Sequence, residues 1–155
     1  NDDKDDDSGW RQLDDLMKRF KVMRCVVDAL PNTKLARAFS ERWQGRVFLC
    51  YYNEHQKGNY RWSEKDMVVH ANRTESLDSS HREVSQQNLL LPRRSDMMEM
   101  FATHMHNIAK RLETDDETGS SRYVYLRLGD DHFRHAYNYE CMARQDSPEL
   151  MFPML

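Results

Sequence analysis

The segment from Arg122 to Arg144, RYVYLRLGDDHFRHAYNYECMAR, constrains the fold more than any other part of the chain. Apolar and polar residues alternate on both sides of Gly129-Asp130-Asp131, the period expected of a half-buried antiparallel hairpin. One flank carries Val124, Leu126 and Leu128, then Phe133, Tyr137, Tyr139 and Cys141. The other carries Tyr123, Tyr125 and Arg127, then His132, Arg134, Asn138 and Glu140. The first flank can build a core, which leaves the second as a wet face of aromatics and cations. Rigid aromatic rings beside guanidinium groups are the side chains that dominate protein interfaces. Tyr123, Tyr125, Arg127 and Arg134 are therefore the expected partner-binding residues.

The rest of the chain has to supply a core for that hairpin. Its 155 residues suffice for one domain, and 39% apolar with 32% charged residues is a globular balance toward the polar end. No apolar run reaches membrane-span length, so no membrane contact is expected. Net charge is −3, and residues 1–7 hold five aspartates against one lysine, leaving the remainder close to neutral. Residues 1–8 read as a flexible acidic tail, and residues 9–155 as a single domain without the basic excess of a dedicated phosphate-backbone binder.

From Trp10 to Leu30 the residues Leu13, Leu16, Phe20, Met23, Val27 and Leu30 recur at spacings of three and four, predicting a first helix. Leu13, Leu16, Phe20 and Met23 form a seam that packs inside the domain, the preferred reading, or else mediates a homodimer. Pro31 ends this helix, Asn32 caps a second, and Leu35, Phe39 and Trp43 mark its buried side, with Gly45 beyond its end. The period then shortens. Arg46–Tyr52 reads as an inner strand, Tyr60–Trp62 and Met67–Ala71 as two more, and tight connections suggest a three-strand meander. Residues 72–94 lose all apolar periodicity and read as a long polar loop. Ser95 caps a third helix, Asp96 to Leu112, with the stripe Met97, Phe101, Met105, Ile108 and Leu112. The expected fold is α+β: two helices, then an antiparallel sheet of about five strands formed by the meander and the C-terminal hairpin. The third helix lies between them in sequence, and the helices cover one sheet face.

Motifs for chemistry are sparse. The three cysteines, Cys25, Cys50 and Cys141, are far apart in apolar stretches, which argues against disulfides and zinc knuckles and for a reducing compartment. There is no GxSxG elbow and no phosphate-cradling glycine loop. His132 and His135 beside Asp130 and Asp131 are the best titratable cluster, but on a strand the two histidines point to opposite faces. No cofactor, metal or catalytic residue is expected. The reading is a non-catalytic adaptor, scaffold or assembly domain of a larger intracellular protein, cytoplasmic or nuclear, binding another protein or protein segment, with a homodimer as one option. The alternative is a single-stranded RNA or DNA binder that stacks bases on the same tyrosines.

Overall fold

The computed structural model describes residues 8–145. The acidic tail and the apolar run from Ser147 to Leu155 thus lie outside the described residues, apart from Ser8. The class is α+β, with five helices and two sheets among the described residues. Chain contacts divide the described residues into two compact units, residues 8–72 with 139–145, and residues 73–138.

Unit 1 begins with α1 (Ser8–Arg19), followed by β1 (Cys25–Asp28), α2 (Thr33–Arg42), β2 (Val47–Tyr52), β3 (Arg61–Ser63) and β4 (Val68–Ala71). The first helix is shorter than its leucine rhythm predicts. Lys21 adopts φ 49°, which breaks the helical path, and the β-branched pair Val26-Val27 joins the sheet instead. α2 forms as expected: the Asn32 side chain accepts from the Leu35 amide at 3.1 Å, and Gly45 lies beyond the cap at φ +81°.

The sheet order is β1-β2-β4-β3. β1 and β4 both flank β2 in parallel, and only β3 with β4 is antiparallel, so the expected meander does not form. A parallel neighbour needs a crossover rather than a turn, and α2 supplies the first one. Both faces of β2 are buried, as its unbroken apolar run implies. On one face Phe48 and Cys50 pack with Val26, Val69, Tyr139 and Met142. On the other, Val47 and Leu49 meet Ala29, Ala36, Phe39 and Met17. The sheet of unit 1 is thus covered on both faces, which corrects the expected one-sided packing.

Unit 2 holds α3 (Arg73–Ser85), α4 (Asp96–His106), β5 (Ile108–Thr114) and β6 (Ser121–Arg127), with α5 (His132–Gln145) contributing residues up to Asn138 here and from Tyr139 onward to unit 1. Three expectations change. Residues 73–85 of the expected loop are helical, and the helix buries Ser76, Leu77 and Ser80 rather than an apolar stripe. The third helix, capped by Ser95 as expected, ends at His106, and Ile108–Thr114 becomes a strand. The C-terminal hairpin does not close at Gly129-Asp130-Asp131. β6 turns back on β5 through Asp115–Ser120, and His132 onward is helix. That turn is fixed by Asp115, whose carboxylate accepts from the Glu117 and Thr118 amides, and by Gly119 at φ +67°.

Candidate functional site

The β5–β6 ribbon carries three of the four expected partner residues. Its register pairs Ile108 with Arg127, Lys110 with Tyr125 and Leu112 with Tyr123. The Leu128 amide donates to the Asn107 carbonyl at 2.8 Å, which makes the neighbouring pair hydrogen-bonded. By alternation, Lys110–Tyr125 and Leu112–Tyr123 are non-hydrogen-bonded pairs, whose side chains stand closest and whose backbone groups point away from the ladder. On β6 those outward carbonyls are taken: Thr74 Oγ1 donates to Tyr123 at 3.2 Å, and Arg73 Nη1 to Tyr125 at 2.9 Å. On β5 the outward groups of Lys110 and Leu112 meet no backbone partner among the described residues.

The side chains on this face are unequal. The Tyr125 phenol donates to Asp78 at 2.7 Å, and burial followed by that carboxylate pushes its pKa up to about 12. Lys110 Nζ also reaches Asp78 at 2.7 Å and lies 4.9 Å from the centre of the Tyr123 ring. Tyr123 itself is 56% exposed, and its partner Leu112 is 51% exposed. Arg127 folds back on its own chain, donating to the Gly129 carbonyl at 2.8 Å and pairing with Asp130 at 2.9 Å.

Arg134 corrects the expectation outright. It lies on α5 rather than on a strand, and it is fully buried. Nη1 donates to Ser80 Oγ at 2.8 Å and Nη2 to the Leu77 carbonyl at 2.6 Å. Ser80 in turn donates to Asn138 Oδ1 at 2.7 Å, and Asn138 Nδ2 to Ser76 Oγ at 3.1 Å. Arg134 therefore organises the interior of unit 2 and presents nothing to a partner.

The expected dimer seam is also divided. Leu13 is half-buried against Met17, Phe39 and Val47, while Leu16, Phe20 and Met23 are exposed. Phe20 and Met23 lie beyond the end of α1, so the four residues do not form one helical stripe.

Two acidic positions outside the expected set have organised surroundings. In unit 2, Asp131 is buried at 5% exposure, with His135 Nε2 at 3.3 Å and Arg127 Nε at 3.5 Å. The strand reading set His132 and His135 on opposite faces; the start of α5 instead places His135 one helical turn after Asp131, within reach of its carboxylate. His132 is exposed, its ring centre 5.9 Å from that of His104. In unit 1, Asp28 ends β1 and accepts from the Leu30 amide at 3.0 Å and the Tyr139 phenol at 2.9 Å. It lies at the carboxyl end of the parallel strands, where open α/β sheets bind their ligands. Nearby backbone is held by side chains: Asn72 donates to the Glu54 and Gln56 carbonyls, and buried Gln56 to those of Asn59 and His70. The sequence signal for Asp28, an acid closing a Val-Val run, was hidden by the helical reading of Trp10–Leu30. Among the described residues, no group of three or more His, Cys, Asp or Glu side chains could hold a metal ion, and no helix is long and apolar enough to cross a membrane.

Burial pushes the Cys25 thiol up to about 11, and burial together with Asp28 pushes Cys50 up to about 12, so neither is an activated nucleophile. The chain matches no known protein family, no curated protein and no solved structure.

Proposed function

We propose that this chain is a non-catalytic interaction domain, an adaptor or assembly module of a larger intracellular protein, and that it captures its partner on the β5–β6 ribbon. One observation carries the reading. Exposed Tyr123 and Leu112 stand side by side next to a strand edge with open backbone groups, so a docking segment finds both ladder bonds and an apolar anchor. Of the residues expected at the surface, Tyr123 leads. Tyr125 and Lys110 support it through Asp78, and Arg134 drops out. Affinity capture with the purified chain tests this: Tyr123→Ala with Leu112→Ala abolishes capture while the thermal midpoint stays put. Unchanged capture removes the ribbon from consideration. Capture of single-stranded oligonucleotide that weakens steeply with salt assigns the same face to nucleic acid instead.

A second reading, an enzyme, is favoured by Asp131 and His135, a buried carboxylate 3.3 Å from an imidazole nitrogen, the residue types that carry proton transfer. Asp28 gives unit 1 a separate acid at the sheet end used for ligands. Screening of the intact chain against ester and phosphoester substrates tests it. Turnover lost in His135→Ala or Asp28→Asn supports this reading, and absence of turnover by the wild-type chain removes it.

A further inference from the structure

We infer that the ribbon pairs with a second copy of itself, β5 against β5, on a two-fold axis through Leu112. This rests on the ribbon being the interaction surface and names one occupant for it. Two strand edges are available in a two-stranded ribbon, and they differ. That of β6 is closed at Tyr123 and Tyr125 by Thr74 and Arg73. That of β5 directs the groups of Lys110 and Leu112 outward with no backbone partner among the described residues. Identical edges joined by a two-fold axis form an isologous contact, in which each residue meets its counterpart reciprocally.

The charges on β5 select the register. Outward-pointing residues must face one another, so within Ile108–Thr114 the axis can pass through Ala109, Lys110, Arg111, Leu112 or Glu113. One at Ala109 joins only Ile108–Lys110 of each strand, against the five residues joined by an axis at Leu112. An axis at Lys110 sets lysine against lysine. One at Arg111 sets arginine against arginine, and one at Glu113 sets glutamate against glutamate. Each places like charges directly opposite, which is destabilising. With the axis at Leu112, Leu112 faces Leu112, Lys110 faces Thr114, and Arg111 faces Glu113 twice. Within one chain Arg111 and Glu113 already share a face and pair at 2.6 Å, so the carboxylate and guanidinium are positioned to exchange partners. On the opposite face the two Leu112 side chains meet next to both Tyr123 rings, covering the exposed apolar surface of the ribbon. The product is a continuous four-stranded sheet in the order β6-β5-β5-β6. Its short ladder makes association concentration-dependent rather than obligate.

Sedimentation velocity and light scattering of the full chain over a concentration series test the inference. The mass rises from 18.6 kDa toward twice that value. Arg111→Glu alone, or Glu113→Arg alone, sets like charges across the axis and abolishes dimer at the same concentrations, while circular dichroism confirms the fold. The double exchange, Arg111→Glu with Glu113→Arg, keeps the pair within each chain and restores the dimer. Leu112→Pro, which removes an outward-pointing amide and the leucine side chain at the axis while sparing the β5–β6 ladder bonds, also yields monomer. A wild-type chain that stays monomeric at every concentration overturns the inference, as does Arg111→Glu remaining dimeric. Heterologous capture separates the two claims. Capture lost in Tyr123→Ala with a monomeric wild type removes the self-pairing and keeps the docking reading. A charge-dependent dimer with capture unaffected by Tyr123→Ala does the reverse.

Discussion

Arg134 and Ser80 meet at 2.8 Å in the interior of unit 2, a guanidinium donating to a hydroxyl that itself donates to Asn138. Large polar groups inside a domain are tolerable only when bonded, because an unmet donor there loses its water without replacement. Arg134→Ala removes the hub and strands the Leu77 carbonyl and Ser80 hydroxyl. The expected loss is about 3–5 kcal/mol, read by urea unfolding. Ser80→Ala leaves the guanidinium one acceptor short and costs about 1–3 kcal/mol. Arg134→Met restoring wild-type stability would show the network to be dispensable.

Acid sensitivity of unit 1 centres on Asp14. Burial raises its pKa, but the Trp43 indole donating at 2.6 Å and the Arg42 guanidinium outweigh this and hold it below the ordinary value. A depressed carboxylate contributes stability above its unfolded pKa of about 3.9 and loses it as pH falls through the folded value. Asp14→Asn should therefore lower stability near neutrality and flatten its decline below pH ~4. Unfolding midpoints recorded between pH 2 and 7 provide the check.

The opposite sign applies to Tyr125. Its pKa is raised to about 12, so the neutral phenol is favoured by folding, fully so below the ordinary value of about 10. That contribution disappears as pH climbs from about 10 to 12. Ultraviolet titration should show Tyr125→Phe deleting one late-ionising phenol, and Asp78→Asn returning that phenol toward the ordinary value.

Thiol chemistry gives a fourth check. Cys50 and Cys141 are buried, and Cys25 is half-buried with a pKa near 11. Ellman's reagent at pH 8 should label the native chain slowly and all three cysteines promptly in guanidinium. Rapid labelling of native Cys50 would contradict the burial of the sheet.

The parts read correctly from sequence were those with local signals. Asn32 and Ser95 cap helices because an Asx or Ser side chain bonds an amide three residues on, which spacing alone shows. Val47–Tyr52 is inner strand because nothing polar interrupts it. The failures were ambiguities of period. Phe133, Tyr137 and Cys141 are four apart, a spacing that fits one face of a strand and one face of a helix equally well. The helical outcome carried Arg134 from the surface to the interior and removed it from the candidate site. Arg73–Ser85 escaped notice because its buried side is serine, satisfied by hydrogen bonds that hydropathy does not register. Strand order was illegible altogether: β1, β2 and β4 find each other across the chain, and no turn announces parallel neighbours. The exposed tyrosine was legible, since Tyr123 alternates outward as read. The open edge of β5 was not, because Ile108–Thr114 extends a convincing helical stripe.

The layer of Tyr139, Met142 and Ala143 over Phe48, Cys50 and Val69 has a consequence for biogenesis. A ribosome delivers strands 25 to 71 well before the helix that shelters one side of them. For that interval the nascent sheet offers a greasy flank to water, and chaperone occupancy should peak there. Ribosome stalling or nonsense truncation anywhere between Asn72 and Asn138 would leave that flank bare for good, yielding insoluble fragments instead of a smaller working protein.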